Sequence, residues 1–229
     1  MKLVAISLAA AVSSVASAAF VEFYTVRTEV STGGVDLDQY VLFARFDGAT
    51  DTVLSCSNWN ALPGAITNAF FHKDNSDDNG GVLSTAYGTW ATQQVGSATN
   101  NRPFDSFLSI GATNGLTSST NADPSWTTAG PLGWNRADLP SGFNVGWFNS
   151  SPPNLQGRVG VAGNSADSVR LGQFVIARGA NVGTFTLRVS YNAGTAGAQL
   201  QNETGFFTLP APGAIALLGL AGLAGRRRR

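Results

Sequence analysis

One cysteine, Cys56, and one histidine, His72, are all that 229 residues contain of either type. A lone cysteine excludes an intrachain disulfide. One of each is too few for the clustered ligands a zinc site needs. Glutamate is almost as scarce: Glu22, Glu29 and Glu203 stand far apart. They form none of the acid–base pairs that glycoside hydrolysis uses, although aspartate can take that part. No serine sits in a G-x-S-x-G turn, so the sequence has no nucleophile elbow. The charged residues make up only 12% of the chain, and the formal net charge is zero. That zero hides an asymmetry. Lys2 and Arg226–Arg229 lie at the two ends, which leaves nine bases against fourteen acids between them, about −5. A domain of that charge lacks the basic patch that nucleic-acid binding requires.

Both ends read as targeting segments. "MKLVAISLAAAVSSVASAAF" has a single basic residue, an apolar stretch from Leu3 to Val12 broken only by Ser7, and then Ala16-Ser17-Ala18. This is the n-region, h-region and small-x-small order of a cleavable secretory signal, with Ala16 and Ala18 at the cleavage site and a mature chain beginning near Ala19. At the other end, Gly213–Gly225 is an uncharged run followed by Arg226, Arg227, Arg228 and Arg229. Thirteen residues reach only about 20 Å as a helix, short of the ~30 Å hydrocarbon core. Its glycines and alanines would let another membrane helix pack closely. The arginines would stay on the cytoplasmic side.

Short Pro motif, apolar helix and Arg cluster, in that order at the extreme C-terminus, resemble the PEP-CTERM sorting signal of exosortase-processed bacterial proteins, also called the ice-binding protein C-terminal domain. Here the motif reads Leu209-Pro210-Ala211-Pro212-Gly213, with Ala211 where the usual pattern has Glu. The resemblance covers about residues 208–229. It implies transient insertion in the inner membrane, recognition by a transmembrane exosortase-type processing enzyme, cleavage near the Pro motif, and release to the cell surface or extracellular matrix. The expected organisation is therefore a signal peptide at 1–18, an ectodomain at 19–208 and the sorting signal at 209–229.

The interval between the ends is rich in β-branched and aromatic runs punctuated by Gly, Asn and Asp. Runs at 20–30, 39–47, 52–59, 104–111, 142–149, 158–162, 169–178, 183–191 and 206–209 read as strands, and none has a sustained helical period. "VRLGQFVIARGANVGTFTLRVSYNAG" reads as a hairpin across a Gly-Ala-Asn turn. The expected fold is all-β: an antiparallel β-sandwich, jelly-roll or Ig-like, carrying an N-terminal signal helix and a C-terminal transmembrane helix. Cys56, inside an apolar–polar alternation, reads as a small buried hydrophobe.

Two segments invite a site. "HKDNSDDNGG" places Asp74, Asn75, Asp77, Asp78 and Asn79 ahead of a glycine. Alternate oxygen ligands followed by Gly80 match the start of a calcium loop, but position twelve is Ala86 rather than a bidentate Glu; a hydrated surface turn has the same composition. Trp126 and Trp134, in "DPSWTTAGPLGWNRADLP", and Trp90, in "AYGTWATQQ", have polar neighbours. Exposed, they would stack on sugar rings; buried, they would cap the open ends of the fold. Trp59 and Trp147 lie in strand-like runs and read as core. No catalytic or cofactor-binding residue stands out. The expectation is an exported surface or matrix protein with a structural or adhesive role and no catalysis of its own. A carbohydrate-binding module contacting extracellular polysaccharide is the alternative, and a secreted hydrolase a third class.

Overall fold

The computed structural model describes residues 19–73, 81–86, 88–91, 102–111, 118–127, 136, 138–161 and 163–209. The signal segment with Ala16 and Ala18, the Asp74–Asn79 loop, Trp134 and the tail from Pro210 to Arg229 lie outside them. Among the described residues, no helix is long and apolar enough to cross a membrane.

The described chain is all-β. Its strands are β1 (Phe20–Thr32), β2 (Val35–Phe46), β3 (Thr52–Ala61), β4 (Phe107–Leu108), β5 (Thr120–Ala122), β6 (Trp147–Asn149), β7 (Ser168–Ala177), β8 (Gly183–Asn192) and β9 (Gln201–Leu209). Two antiparallel sheets result. The first has the order β1-β2-β7-β4 and the second β5-β6-β3-β8-β9. They pack face to face: Trp59 of β3 stacks on Phe174 of β7 at 5.5 Å between ring centroids, and Phe46 of β2 meets Tyr191 of β8 at 5.0 Å.

β1 and β2 are joined by the two residues Gly33 and Gly34, at φ 58° and 78°. Both central residues of this turn type need positive φ, which glycine adopts without steric cost. The expected hairpin over 169–191 does not form. β7 pairs with β2 and β4, and β8 pairs with β3 and β9, so the chain crosses from one sheet to the other between them. β8 alternates between faces, whereas β7 is buried at nearly every position, and neither pattern says in which sheet a strand lies. Val182, in the crossing segment, is fully buried, and its N–H donates to Leu209 O at 3.3 Å. The expected strand at 158–162 reduces to a single bridge between Thr52 and Arg158. The last strand takes in Leu209, which is fully buried and paired with Gly183. That residue, also assigned from sequence to the Pro motif, is the last residue of β9 and belongs to the core. Among the described residues, the core runs from Phe23 to Leu209.

β3 organises the centre. Its inward residues are Val53, Cys56 and Trp59, each no more than 2% exposed. They are spaced by three, whereas a regular strand puts inward residues two apart. Register shifts against β8 between Val53 and Ser55, and again between Ser57 and Asn60, supply the extra residues. Each shift turns the following side chain to the other face. At the second, Asn58 takes φ 53°. Its N–H and that of Trp59 turn to Phe143 O and Val145 O at 3.0 and 3.1 Å. Asn58 Oδ1 accepts from Asn60 Nδ2 at 2.7 Å. Trp59 thus reaches the core, where Trp126, Trp147, Phe174, Phe185 and Phe207 surround it at 5.3 to 6.2 Å.

The left-handed backbone at Asn58 carries a prediction. Asn58→Val should destabilise residues 19–209 by about 1–3 kcal/mol, because a β-branched residue is strained there. Asn58→Gly should cost less than half as much. Thermal unfolding of the two variants, followed by circular dichroism, checks the order; equal losses would show that the conformation is not what matters.

Candidate functional site

Of the three tryptophans considered for sugar stacking, the two described, Trp90 and Trp126, are core residues. Trp90 and Trp126 have no exposed surface, so neither indole face can meet a saccharide. The signal that places them is local. Asp123 caps a short 3-10 turn over Pro124–Trp126: its Oδ1 accepts from Ser125 N at 2.8 Å and also from Ser125 Oγ. The turn points Trp126 inward onto Trp59, Trp90 and Trp147. Trp90 donates through Nε1 to Arg136 O at 2.9 Å. Pro, Gly and Asn neighbours thus mark a loop that folds over the open end of the core.

His72 is also sealed. It has no exposure, lies edge-on to Trp90 at 4.7 Å, and places Nδ1 3.4 Å from Oδ1 of the buried Asp105. Lys73 N–H donates to the same oxygen at 3.3 Å. Such a pair is closed to a substrate in this conformation and ties the 71–73 segment to the 105–106 segment, where Ser106 Oγ donates to Phe71 O at 2.6 Å. Among the described residues, no group of three or more His, Cys, Asp or Glu is placed to hold a metal ion; the Asp74–Asn79 segment is outside them.

Among the described residues, a groove about 390 Å³ in volume opens to solvent on the outer face of the second sheet. Ser55 and Ser57 of β3, Asp123 and Pro124 of the capped turn, Asn144, and Phe148 of β6 line it. Its floor is backbone. A Cβ at Gly146 would lie 2.1 Å from Cys56 O, so only glycine lets this segment lie so close to β3. Gly146 O in turn accepts from Asp123 N at 3.0 Å. Phe148 is 41% exposed beside this lining. The groove offers hydroxyl, amide and carboxylate groups around one aromatic edge, and among the described residues no Lys or Arg lines it. Sequence alone did not bring these residues together. Their common face depends on the β3 bulges and on the pairing of β6 with β3.

Cys56 contributes only backbone to that floor; its thiol side is 2% exposed. Burial pushes the thiol well above its ordinary value of 9.0.

No family model, no curated protein and no solved structure matches the chain.

The thiol supplies a pH prediction. The native state keeps Cys56 protonated, whereas the unfolded chain ionises it above about 8.5. Its contribution is therefore fully present below that pH and is lost as pH rises, by about 1.4 kcal/mol per unit for one group. Native residues 19–209 should not react with a thiol reagent at pH 8 and should react fully in guanidinium. Cys56→Ala should flatten the stability–pH curve between pH 8.5 and 10. A native thiol that titrates rapidly, or an unchanged curve, would contradict the burial argument.

Proposed function

We propose that this chain is an exported cell-surface or matrix protein with a structural or adhesive role, delivered by its signal segment and sorted and processed through its C-terminal signal by a transmembrane exosortase-type enzyme. The ectodomain is a β-sandwich of Ig-like rather than jelly-roll topology. Its orders β1-β2-β7-β4 and β9-β8-β3 parallel the A-B-E-D and G-F-C sheets of that fold, with β6 and β5 added beyond β3. Trp59 on β3 stands where such folds carry a buried Trp.

The delivery reading is supported by the residues beside the two expected processing points: Ala19 and Leu209 are each held in the described fold. Ala19, the expected first residue of the mature chain, donates from N to Asp47 Oδ1 at 3.0 Å and accepts from Asp47 N at 3.1 Å. A cut after Ala18 would turn that N–H into an ammonium facing a carboxylate. Leu209, one residue before Pro210, is fully buried as the last residue of β9. The two ends are also at opposite poles. Phe20 N–H donates to Tyr191 Oη, at the end of β8, while Leu209 pairs with Gly183 at its start. Eight residue spacings of strand, from Gly183 to Tyr191, separate them, about 27 Å. A chain held by its tail would present the Phe20 pole outward.

The tail would be a transient hold, since its apolar run is short for a bilayer and its arginines cost about 2.5–3.5 kcal/mol each to drag through hydrocarbon. Replacing Arg226, Arg227, Arg228 and Arg229 with Ser in the native host should release an uncleaved, tagged ectodomain prematurely. The wild-type surface form should begin at Ala19 and end at or beyond Leu209 by mass spectrometry of its terminal peptides. Normal display of the mutant, or a surface form that keeps its arginines, would overturn the sorting reading.

A further inference from the structure

The outer face of the second sheet carries a lane that the strand register draws straight across all five strands. Asn121 of β5 pairs with Phe148 of β6, Phe148 with Ser55 of β3, Ser55 with Ser190 of β8, and Ser190 with Asn202 of β9. The inward neighbours Trp147, Cys56, Val189 and Tyr191 are buried in the core, so this row is turned outward; Asn121, Phe148 and Asn202 are exposed, Ser55 is half-buried, and Ser190 is a recessed 9% exposed. Four strand spacings of about 4.8 Å give it a length of about 19 Å. Phe148 and Ser55 line the groove and Asn121 precedes Ala122 of its lining, and at the far end of the row Ser190 Oγ donates to Asn202 Oδ1 at 2.6 Å.

We propose that this lane binds an extended strand of neutral polysaccharide, seated on Phe148 and running from the groove toward β9. This deepens the surface-protein reading above by naming its ligand class and rests on that reading for its setting. The chemistry singles out the occupant. Serine hydroxyls and asparagine amides both donate and accept, as the hydroxyls of a sugar do. Phe148, 41% exposed in the middle of a polar row, offers an apolar face to the C–H side of a pyranose ring. The groove has one carboxylate, Asp123, and among the described residues no base. Arg188 stands in the next row, opposite Ser57 and Thr204. An acidic polymer would meet Asp123 with no base in the groove to offset it, on an ectodomain of about −5. The lane also lies at the outward pole. Ser190 is seven residues along β8 from Gly183, the partner of Leu209, or about 23 Å from the tail's exit.

The test is affinity electrophoresis of residues 19–209 through gels containing hydroxyethylcellulose, galactomannan, xyloglucan, dextran or alginate. At least one neutral polymer should retard the protein and alginate should not. Phe148→Ala should weaken retardation at least tenfold and Asn121→Ala at least threefold, with unchanged melting temperatures. Val26→Ala, on the first sheet, should bind like wild type. Retardation by none of the neutral polymers, by alginate alone, or undiminished in both lane variants would overturn the proposal. None of these results depends on export or processing. A protein displayed and trimmed as expected but indifferent to every neutral polymer would sink the lane and leave the sorting reading standing. A protein that binds but is never displayed would do the reverse.

Discussion

The insertion of Trp59 between the two sheets is the constraint on which the other features depend. Its ring touches aromatics contributed by β6, β7, β8, β9 and the capped turn at Pro124–Trp126. Contacts of this kind add specific edge and stacking geometry to the burial of large apolar surface. In an uninterrupted β3, Trp59 would face solvent whenever Cys56 faced the core, because three residues separate them. The bulge at Asn58 reverses that parity. It also takes two N–H groups out of the ladder with β8, and the chain must answer them elsewhere. Phe143 O and Val145 O do so.

That repair is what builds the groove. To satisfy the bulge, residues 143–145 must run beside β3, and Gly146 must pass close against the Cys56 carbonyl. β6 starts at once with Trp147, whose indole donates to Ser109 O at 3.0 Å and locks the strand to the neighbouring segment. With Trp147 committed inward, Phe148 is forced outward by the pleat. An exposed phenylalanine above a glycine floor is therefore the outer-face consequence of placing a tryptophan on the inner face. Core and surface are here one arrangement seen from two sides.

Strand content was legible because β-branched and aromatic runs mark pleated segments, and the long strands β1, β2, β3, β7, β8 and β9 overlap the runs that announced them. What stayed hidden was pairing. "VRLGQFVIARGANVGTFTLRVSYNAG" has the period of a hairpin, yet its halves lie in different sheets, since a strand's pattern records how many faces it buries and not its neighbours. Trp90 and Trp126 show the same gap at the scale of one side chain. Their polar neighbours are those of a loop in either case; the cap at Asp123 and the indole bond to Arg136 O decide for the core. Leu209 was read both as the end of the strand run 206–209 and as the first residue of the Pro motif; what the run missed was the start of β9, because Gln201–Gly205 is polar and carries no apolar alternation. The lane was beyond reach from sequence: Asn121, Phe148, Ser55, Ser190 and Asn202 become neighbours only through four pairings and a bulge.

Antiparallel geometry ties the two ends of the chain to this face. β2 and β7 are antiparallel partners in the first sheet, and each is followed by a crossing to the second. The crossings must therefore leave at opposite poles. The first, after Phe46, brings Asp47 to Ala19; the second, after Ala177, brings Val182 to Leu209. The same arrangement that lets β3 and β8 pair thus assigns Ala19 to one pole and Leu209 to the other. Leu209 and the proposed lane at Ser190 are then separated by most of the length of β8. Under the proposed tail-held display, the domain would need neither hinge nor unfolding to face away from the tail, because that distance is built into the strand.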